Sequence, residues 1–248
     1  MALRYLSPPD SWDLRPGEIS VFSVPLAASP ARIAYFERNL APEERDRAHR
    51  FRTPALQEAF ILARGTLRAI LGRCLNLPPA EVQLDYGERG KPRIAGGHEL
   101  RFNLSHSGGR ALYALSLDRE IGVDLEQITP TTDCELIARH FFSAGEIRDL
   151  MSLPAGQRDD AFFTCWTRKE AYIKACGEGL SLALDAFRVS LLPGEPARLE
   201  APADPRPWSL FDVRPGPDHA AALAAEGSAS ALRAWAFRDA GECAEYFR

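Results

Sequence analysis

Disulfide-forming cysteines are missing from this sequence, and so are long apolar runs. It has five cysteines, an odd number, and no two of them have the C-x-x-C spacing. At 248 residues the chain is long enough to bury a core without disulfides, so we expect reduced thiols. The first residues contain no apolar signal core, and no apolar run reaches the ~20 residues of a membrane-spanning helix. These absences predict a cytoplasmic protein that does not enter a membrane.

An excess of positive charge is also absent. The formal net charge is −4, so no overall positive potential would attract nucleic acid, and we expect no nucleic-acid partner. A multiply phosphorylated ligand would have to be bound by a local basic cluster. The arginines around His49 form such a cluster: Arg45, Arg47, Arg50 and Arg52. Such runs are usually solvated helix faces, and that interpretation stays open here.

Two well-known catalytic and phosphate-binding motifs are missing as well. There is no G-x-S-x-G elbow, and the neighbours Ser105 and His106 would point to opposite faces of a strand, so a serine hydrolase is not predicted. The segment from Gly87 to Pro92 lacks the G-x-x-x-x-G-K-[ST] spacing of a P-loop. A turn that presents Lys91 to an anion and a plain surface turn are both compatible with this segment.

Hydrophobic periodicity predicts a mixed α+β fold. The clearest helical stripe lies between residues 55 and 76. The other predicted helices cover 42–52, 133–141, 143–152 and 158–176. The predicted strands cover 18–26, 82–85, 100–104, 111–117, 121–127, 186–192, 208–213, 219–225 and 231–237.

The order of helix followed by strands occurs once in each half of the chain. We therefore predict two similar α+β lobes related by a pseudo-twofold, each a small antiparallel sheet packed with a long helix, with residues 1–119 and 120–248 as the two units. Amphipathic helices and alanine-rich strands often look alike by chance, so a fold without internal repeats is the alternative.

An acidic pair in the second half has the pattern of a metal site. Along the strand from Ile121 to Glu126, side chains alternate, so Asp124 and Glu126 share one face and Val123 and Leu125 the other. Mg²⁺ typically takes one or two protein carboxylates and fills its remaining positions with water and substrate phosphates. The alternative is a half-exposed strand whose acidic residues simply face solvent.

A helical stripe near residue 170 can add to this site. Phe162, Trp166, Glu170 and Lys174 are four residues apart and share a helix face. Glu170 could complete the metal site, and Lys174 could contact a phosphate oxygen. Gly177 is expected to end the helix. The alternative is a surface Glu–Lys pair worth about 0.3–0.5 kcal/mol.

A third polar segment lies at the end of a predicted strand. From Phe102 to Gly109 the strand leads into a loop of small residues, with Asn103, Ser105 and His106 close to the turn. Hydroxyls, an imidazole and free backbone N–H groups in such a turn favour a phosphate-binding cradle.

In this order, the segments resemble the phosphopantetheinyl transferase superfamily, specifically its larger, two-lobed Sfp-like branch. The resemblance extends at least over residues 42–192. The residues that carry it are Gly90-Lys91-Pro92, Asn103-Leu104-Ser105-His106-Ser107, Gly122-Val123-Asp124-Leu125-Glu126, Phe141-Phe142-Ser143 with Glu146, and Trp166-x-x-Lys169-Glu170-Ala171-x-x-Lys174-x-x-Gly177-x-Gly179-Leu180.

The resemblance implies a transferase that uses Mg²⁺ and coenzyme A and modifies an apo acyl or peptidyl carrier protein. It implies nucleotide contacts in the first lobe and metal binding and catalysis in the second. The implied metal ligands are Asp124, Glu126 and Glu170, and the implied catalytic residues are Glu170, Lys174 and Asp124. The implied coenzyme A contacts are Arg47, Arg50, Gly90, Lys91, Pro92, Asn103, Ser105, His106 and Lys174.

Several alternatives remain open at this point. The base that activates the acceptor serine is either Glu170 or a metal-bound water hydrogen-bonded to Glu126. A Mg²⁺-dependent hydrolase of nucleotides or pyrophosphates would use the same acidic cluster, and an inactive binding module is a further alternative. Because one chain would supply both sides of the cleft, we expect a monomer.

Overall fold

The computed structural model describes residues 3–87, 90–130, 133–177, 179, 182–200, 204–229 and 231–248. The helices in these ranges are α1 (Pro30–Arg38), α2 (Pro42–Ala48), α3 (Pro54–Leu75), α4 (Cys134–Phe141), α5 (Ala144–Ser152), α6 (Ala155–Cys176) and α7 (Ala240–Tyr246). The strands are β1 (Glu18–Pro25), β2 (Leu84–Tyr86), β3 (Pro92–Ile94), β4 (Arg101–Ser107), β5 (Arg110–Ser116), β6 (Ile121–Gln127), β7 (Arg188–Val189), β8 (Leu199–Glu200), β9 (Trp208–Asp212), β10 (His219–Glu226) and β11 (Ala231–Ala236). Within the described ranges, no helix is both long and apolar enough to cross a bilayer. All five cysteines are free thiols.

The first lobe is built on a four-stranded sheet with the order β11-β1-β5-β4. The long helix α3 is capped at its N-terminus by Thr53, whose side chain accepts a hydrogen bond from the Leu56 amide. At its C-terminus the cap residue Asn76 adopts φ = 53°. Its apolar face packs on the sheet, and the Tyr113 hydroxyl of β5 donates to the Ala63 carbonyl oxygen at 3.0 Å. The helix and the sheet therefore form one buried core.

This first sheet is mixed, which differs from the small antiparallel sheet that the sequence predicts. β11 lies parallel to β1, with Ala231 opposite Glu18. Trp235 of β11 stacks on Phe22 of β1 with ring centroids 5.2 Å apart, and α7 packs in the same core. The boundary between residues 119 and 120 stays a prediction. β11 and α7, which follow it in sequence, bury their apolar side chains in the first lobe.

The second lobe has an antiparallel three-stranded sheet with the order β6-β10-β9, covered by α6. The residues that face the helix are small, which lets the two backbones approach closely. Ala222 and Ala224 are fully buried in this contact, and a Cβ added to Gly122 would lie 2.2 Å from the Ala171 carbonyl oxygen. Each lobe thus combines a small sheet with a helix of 22 residues, which confirms the predicted two-lobed α+β class.

The two sheets meet where β4 runs beside β6, and side chains connect them. The Asn103 Oδ1 accepts from the Val123 amide at 2.8 Å, and the Ser107 Oγ accepts from the Gln127 amide at 3.1 Å. Behind this seam a separate apolar cluster joins the sheets; it includes Ile19, Val21, Leu112, Val123, Leu125 and Leu223. The cleft between the lobes is therefore lined by strands that are held in a fixed register.

Some elements differ from the predictions. The sequence analysis does not predict α1, in which only Phe36 is buried, or α7, which is capped by Asp239 through the Glu242 amide at 2.9 Å. β4 extends to Ser107, beyond the predicted end at 104, because residues 101–107 all pair with β5. Only Arg188–Val189 of the strand predicted for 186–192 is paired.

Candidate active site

Asp124 lies at the centre of the cleft, on β6. Its side chain is nearly inaccessible, and the residue is 3% exposed. The Lys174 ammonium donates to Asp124 Oδ1 at 2.6 Å, and the Ser105 hydroxyl donates to the same oxygen at 2.9 Å. Since Lys174 belongs to α6 and Ser105 to β4, this one oxygen connects the sheet and helix of the second lobe with the sheet of the first.

Glu126 repeats this arrangement two residues further along β6. Its Oε2 accepts a hydrogen bond from the Ser107 hydroxyl at 2.8 Å. Two serines of β4 thus face two carboxylates of β6. Ser107 is not among the site residues predicted from the sequence. Strand alternation could have identified it, because residues 105 and 107 share a face once β4 continues to Ser107.

Glu170 reaches the same cleft from α6. Desolvation and the negative charge of Asp124 raise the pKa of Glu170; Glu126 adds to the rise, and Lys174 opposes it. Desolvation and the Asp124 charge likewise raise the pKa of Glu126, whereas the hydrogen bond from Ser107 lowers it. The three carboxylates are therefore close enough to repel each other, and each of them would gain from a cation between them.

One atom in this cleft is suited to a cation. Asp124 Oδ2 is buried and has no hydrogen-bond partner, and a buried carboxylate oxygen without a partner is costly. Within the described ranges, no group of three or more His, Cys, Asp and Glu side chains is positioned as a ready metal site. Mg²⁺ needs only one or two protein carboxylates when phosphates and water supply its other ligands. The residues present therefore fit magnesium, and the three-carboxylate ligand set stays a prediction.

A buried ion pair beneath the cleft explains another part of the helix motif. Lys169 and Glu146 are both fully buried, with Nζ and Oε1 2.8 Å apart. The Lys169 ammonium also donates to the carbonyl oxygens of Leu184 and Phe187 at 2.6 and 2.7 Å. Lys169 therefore ties α5 and the segment before β7 to α6, and this fixes the helix that presents Glu170 one residue later.

A cavity of about 290 Å³ adjoins Glu170 and Lys174. It brings the predicted metal ligand Glu170 together with predicted coenzyme A contacts, of which Gly90, Lys91, Pro92, Asn103 and Lys174 line it. Gly177, which also lines it, adopts φ = 73° and ends α6 as predicted. A larger cavity of about 630 Å³ shares Lys91 and Pro92 but is lined by none of the three carboxylates. The smaller cavity is therefore the candidate for the donor substrate.

The side chain of Lys91 is already occupied by protein groups. Its ammonium donates to Glu120 Oε2 at 3.0 Å, to the Ile121 carbonyl oxygen at 3.2 Å and to the Ala175 carbonyl oxygen at 3.1 Å. An ammonium has three donors, and all of them are used. Lys91 thus joins β3 to the start of β6 and the end of α6. Residues 88 and 89 of the same segment lie outside the described residues.

His106 and Arg64 form the basic side of the cleft. Desolvation and the positive charges of Lys174 and Arg64 lower the pKa of His106. Arg64, on α3, is 7% exposed, and its Nη2 donates to the Tyr86 hydroxyl at 3.0 Å. Arg64 lies within an apolar helix and carries no motif signal, so it is not among the site residues predicted from the sequence. An anion near His106 would be attracted by the Lys174 and Arg64 cations, although Arg64 also lies 3.5 Å from Glu44 Oε1.

Arg47 lies on α2 and Arg50 just after it, in the first lobe. Arg47 is exposed and places its guanidinium over the Phe60 ring, 5.4 Å from the centroid. The exposed Arg50 donates through Nε to the Asp46 carbonyl oxygen at 3.2 Å. Neither arginine forms an ion pair with a described residue, so both guanidinium groups are accessible to an anion. Their contact with a ligand stays a prediction.

Comparison with known proteins gives matches along both lobes. A model described as 4'-phosphopantetheinyl transferase, N-terminal, matches residues 27–116. A second, for the 4'-phosphopantetheinyl transferase superfamily, matches residues 120–224 and so includes β6, α6 and the three carboxylates.

Relatives of established name give the same result. The 4'-phosphopantetheinyl transferase HetI of Nostoc sp. is 39% identical over 227 residues, which cover 90% of this chain and 94% of HetI. The 4'-phosphopantetheinyl transferase Sfp of Bacillus subtilis is 32% identical over 179 residues, which cover 71% of this chain and 79% of Sfp. These matches confirm the predicted resemblance: the chain belongs to the 4'-phosphopantetheinyl transferase superfamily and is of its Sfp-like type.

Proposed function

We propose that this protein transfers the 4'-phosphopantetheine arm of coenzyme A to a serine of an apo carrier protein. The products are the holo carrier protein and adenosine 3',5'-bisphosphate. The observation that carries the proposal is the Asp124 side chain. One of its oxygens is held by Lys174 and Ser105, and the other is buried without a partner. Lys174 also lines the cavity of about 290 Å³, together with Glu170.

The proposed magnesium ligands are Asp124, Glu126 and Glu170. When bound, the ion would neutralise charge on the diphosphate of coenzyme A, which is the main requirement for phosphoryl transfer. The mutual repulsion that raises the pKa values of Glu126 and Glu170 supports this assignment, because a divalent cation removes that repulsion. In this proposal Ser105 and Ser107 orient the two β6 carboxylates through their hydroxyl groups.

Glu170 is the proposed proton acceptor. The hydroxyl oxygen of the acceptor serine attacks the β-phosphorus of coenzyme A, and its proton passes to a Glu170 carboxylate oxygen. The new bond joins the serine oxygen to phosphorus, and the bond that breaks joins phosphorus to the bridging oxygen, which leaves with adenosine 3',5'-bisphosphate. Desolvation is the largest cause of the raised pKa of Glu170, and this burial does not depend on the charges of Asp124 and Glu126. It favours Glu170 as a base over an ordinary surface carboxylate. A water hydrogen-bonded to Glu126 is the alternative acceptor.

Lys174 and the first lobe have binding roles in this proposal. The Lys174 ammonium lines the cavity and would stabilise negative charge that develops on the leaving oxygen. Residues Gly90 to Pro92 and Asn103 would border the nucleotide, with His106 near its phosphates and Arg47 and Arg50 as accessible cations for a further phosphate. We also propose that the protein acts as a monomer, since the cleft is formed by one chain. Its proposed location is the cytoplasm.

Mass spectrometry of intact carrier proteins tests the proposed function. A panel of apo acyl and peptidyl carriers is incubated with the protein, coenzyme A and Mg²⁺. The expected result is a mass increase equal to one phosphopantetheine group, which is lost when the acceptor serine is replaced by alanine or when EDTA is present. Release of adenosine 3',5'-bisphosphate from coenzyme A without any carrier would instead indicate a hydrolase. Binding of coenzyme A without transfer to any carrier would indicate an inactive binding module.

A further inference from the structure

The Lys174 ammonium connects two parts of the cleft. It donates to Asp124 Oδ1 at 2.6 Å, to the Ser105 hydroxyl oxygen at 3.1 Å and to the Val123 carbonyl oxygen at 3.4 Å. These contacts use its three donors, and the contact with Val123 is the longest. The side chain is still 29% exposed and lines the cavity of about 290 Å³. Lys174 therefore contacts a carboxylate on one side and the candidate donor cavity on the other.

The positive charge of Lys174 acts on the whole acidic cluster, by which we mean Asp124, Glu126 and Glu170. It is in direct contact with Asp124. It also lowers the pKa values of Glu126 and Glu170, which desolvation and the Asp124 charge raise. Among the described residues, no other basic side chain forms an ion pair with the cluster. Lys174 thus balances one negative charge of the cluster, and the remaining charge attracts a cation.

This internal ammonium has opposite effects on a divalent cation and on a diphosphate. The affinity of carboxylate sites for divalent cations increases with the negative charge of the ligands, so the ammonium weakens the binding of a cation alone. A diphosphate is repelled by the carboxylates and attracted by the ammonium, so Lys174 strengthens its binding. A phosphate oxygen can replace the long contact with Val123, and its negative charge then offsets the repulsion between the ammonium and the cation.

We propose that Lys174 makes the binding of the divalent cation dependent on coenzyme A. The acidic cluster binds the cation weakly on its own, and it binds the cation tightly once the diphosphate has neutralised the ammonium. By thermodynamic reciprocity, the cation raises the affinity for coenzyme A by the same factor. This proposal rests on the proposed function, because it assumes that the acidic cluster and the diphosphate share one cation. Lys174 then acts during binding, before the acceptor serine arrives.

Binding of Mn²⁺ in the absence of any carrier protein tests this coupling. Mn²⁺ takes the same oxygen ligands as Mg²⁺, and electron paramagnetic resonance measures its free concentration. The dissociation constant for Mn²⁺ is determined without and with saturating coenzyme A, and the ratio of the two values is the coupling factor. For Lys174→Met, we expect Mn²⁺ alone to bind at least about fivefold more tightly than to the wild type, and the coupling factor to fall at least about fivefold. Coenzyme A alone should bind more weakly.

Three further variants separate the charge from other effects of the substitution. Lys174→Arg keeps the charge, so its dissociation constant for Mn²⁺ alone should stay at the wild-type value. Lys174→Gln is a second neutral variant and should bind Mn²⁺ alone more tightly, as Lys174→Met does; circular dichroism verifies that each variant is folded. Arg238→Met is the matched control. It also removes one positive charge, but Arg238 lies in the first lobe and pairs with Glu242, so the coupling factor should equal that of the wild type.

Unchanged or weaker binding of Mn²⁺ alone by the folded neutral variants overturns the proposed coupling. A wild-type protein that binds Mn²⁺ equally well with and without coenzyme A also overturns it. Either result leaves the proposed transfer reaction intact, because mass spectrometry of the carrier measures that reaction separately. If the wild-type protein binds no Mn²⁺ even with coenzyme A, or if Asp124→Ala binds Mn²⁺ as well as the wild type, the metal assignment fails together with the coupling.

Discussion

The two oxygens of Asp124 have different environments. Oδ1 receives hydrogen bonds from Lys174 and Ser105, whereas Oδ2 is buried without a partner. A buried carboxylate that is half satisfied costs stability unless a ligand uses the free oxygen. This residue therefore combines a structural connection to β4 with an atom that is available to a cation.

Replacing Asp124 by alanine should remove the proposed metal ligand. We expect Asp124→Ala to lower the rate of phosphopantetheine transfer at least ~100-fold, the scale for losing one essential electrostatic group. Initial rates at saturating coenzyme A and carrier, measured by mass spectrometry, check this expectation. Asp185→Ala, which removes an exposed carboxylate of the same lobe, should retain wild-type rates. Near wild-type turnover of Asp124→Ala would contradict the metal assignment.

The Lys91 ammonium is held by protein groups, and its contact with coenzyme A stays a prediction. Because Glu120, Ile121 and Ala175 accept all three of its hydrogen bonds, we expect Lys91→Met mainly to destabilise the fold. The expected loss is about 0.5–1.5 kcal/mol, the scale for hydrogen bonds to partly buried acceptors, measured by urea unfolding. The KM for coenzyme A should rise less than about tenfold, a limit of about 1.4 kcal/mol in binding. A much larger rise at unchanged stability would show that the ammonium binds the nucleotide.

At the scale of elements, the contact between β6 and α6 positions the site. Gly122 lies where the strand touches the helix, and a Cβ there would lie 2.2 Å from the Ala171 carbonyl oxygen and 2.3 Å from the Ala175 amide nitrogen. Both of these atoms belong to the backbone of α6 and cannot rotate away. The strand therefore lies at a spacing that only glycine permits, and this spacing sets the 2.6 Å contact between Asp124 and Lys174.

Gly122→Ala should separate the strand from the helix. We expect a loss of about 1–3 kcal/mol in the free energy of unfolding, as for other overpacked cores, together with reduced transfer activity. Urea titration followed by circular dichroism gives the first quantity and the carrier assay the second. Gly156→Ala is the control, because a Cβ at this helical position has no neighbour within 4 Å. It should be neutral or stabilising by up to about 1 kcal/mol. Equal stability of the two variants would contradict the close-contact interpretation.

Much of the cleft could be predicted from the sequence at this scale, and some of it could not. Strand alternation puts Asp124 and Glu126 on one face, and helical spacing puts Glu170 and Lys174 on another, because both periodicities are local properties. Other features depend on contacts between distant segments of the chain. They are the hydrogen bond between Asn103 and Val123, the position of Arg64 beside His106, and the parallel pairing of β11 with β1. Local patterns do not encode these contacts, so the sequence analysis missed them.

The whole molecule is expected to unfold as one unit although it has two lobes. The buried cluster that includes Ile19, Leu112, Val123 and Leu223 contains residues of both sheets, so neither sheet keeps its core when the other unfolds. Side-chain bonds between β4 and β6 add to this connection. Shared burial of this kind favours a single cooperative transition.

The four tryptophans of the chain allow a direct test of this cooperativity. Trp12 and Trp235 lie in the first lobe, and Trp166 and Trp208 lie in the second. In one variant the first pair is replaced by phenylalanine, and in the other the second pair, so that fluorescence reports on one lobe at a time. In each variant, we expect the urea midpoint from tryptophan fluorescence to equal the urea midpoint from circular dichroism. A fluorescence midpoint that differs from the circular dichroism midpoint of the same variant would show that one lobe unfolds separately, which would contradict the shared core.

The position of β11 has a consequence for synthesis on the ribosome. The sheet of the first lobe receives its edge strand from residues 231–236, more than a hundred positions after β5 has been made. A nascent chain that has already released β1, β4 and β5 therefore leaves one side of β1 unpaired while the second lobe is translated. Domains usually fold in the order of their synthesis, but here the earlier lobe has to wait for the later one. The exposed edge of β1 is thus the place where a chaperone, or a neighbouring chain on the same polysome, would be expected to bind first.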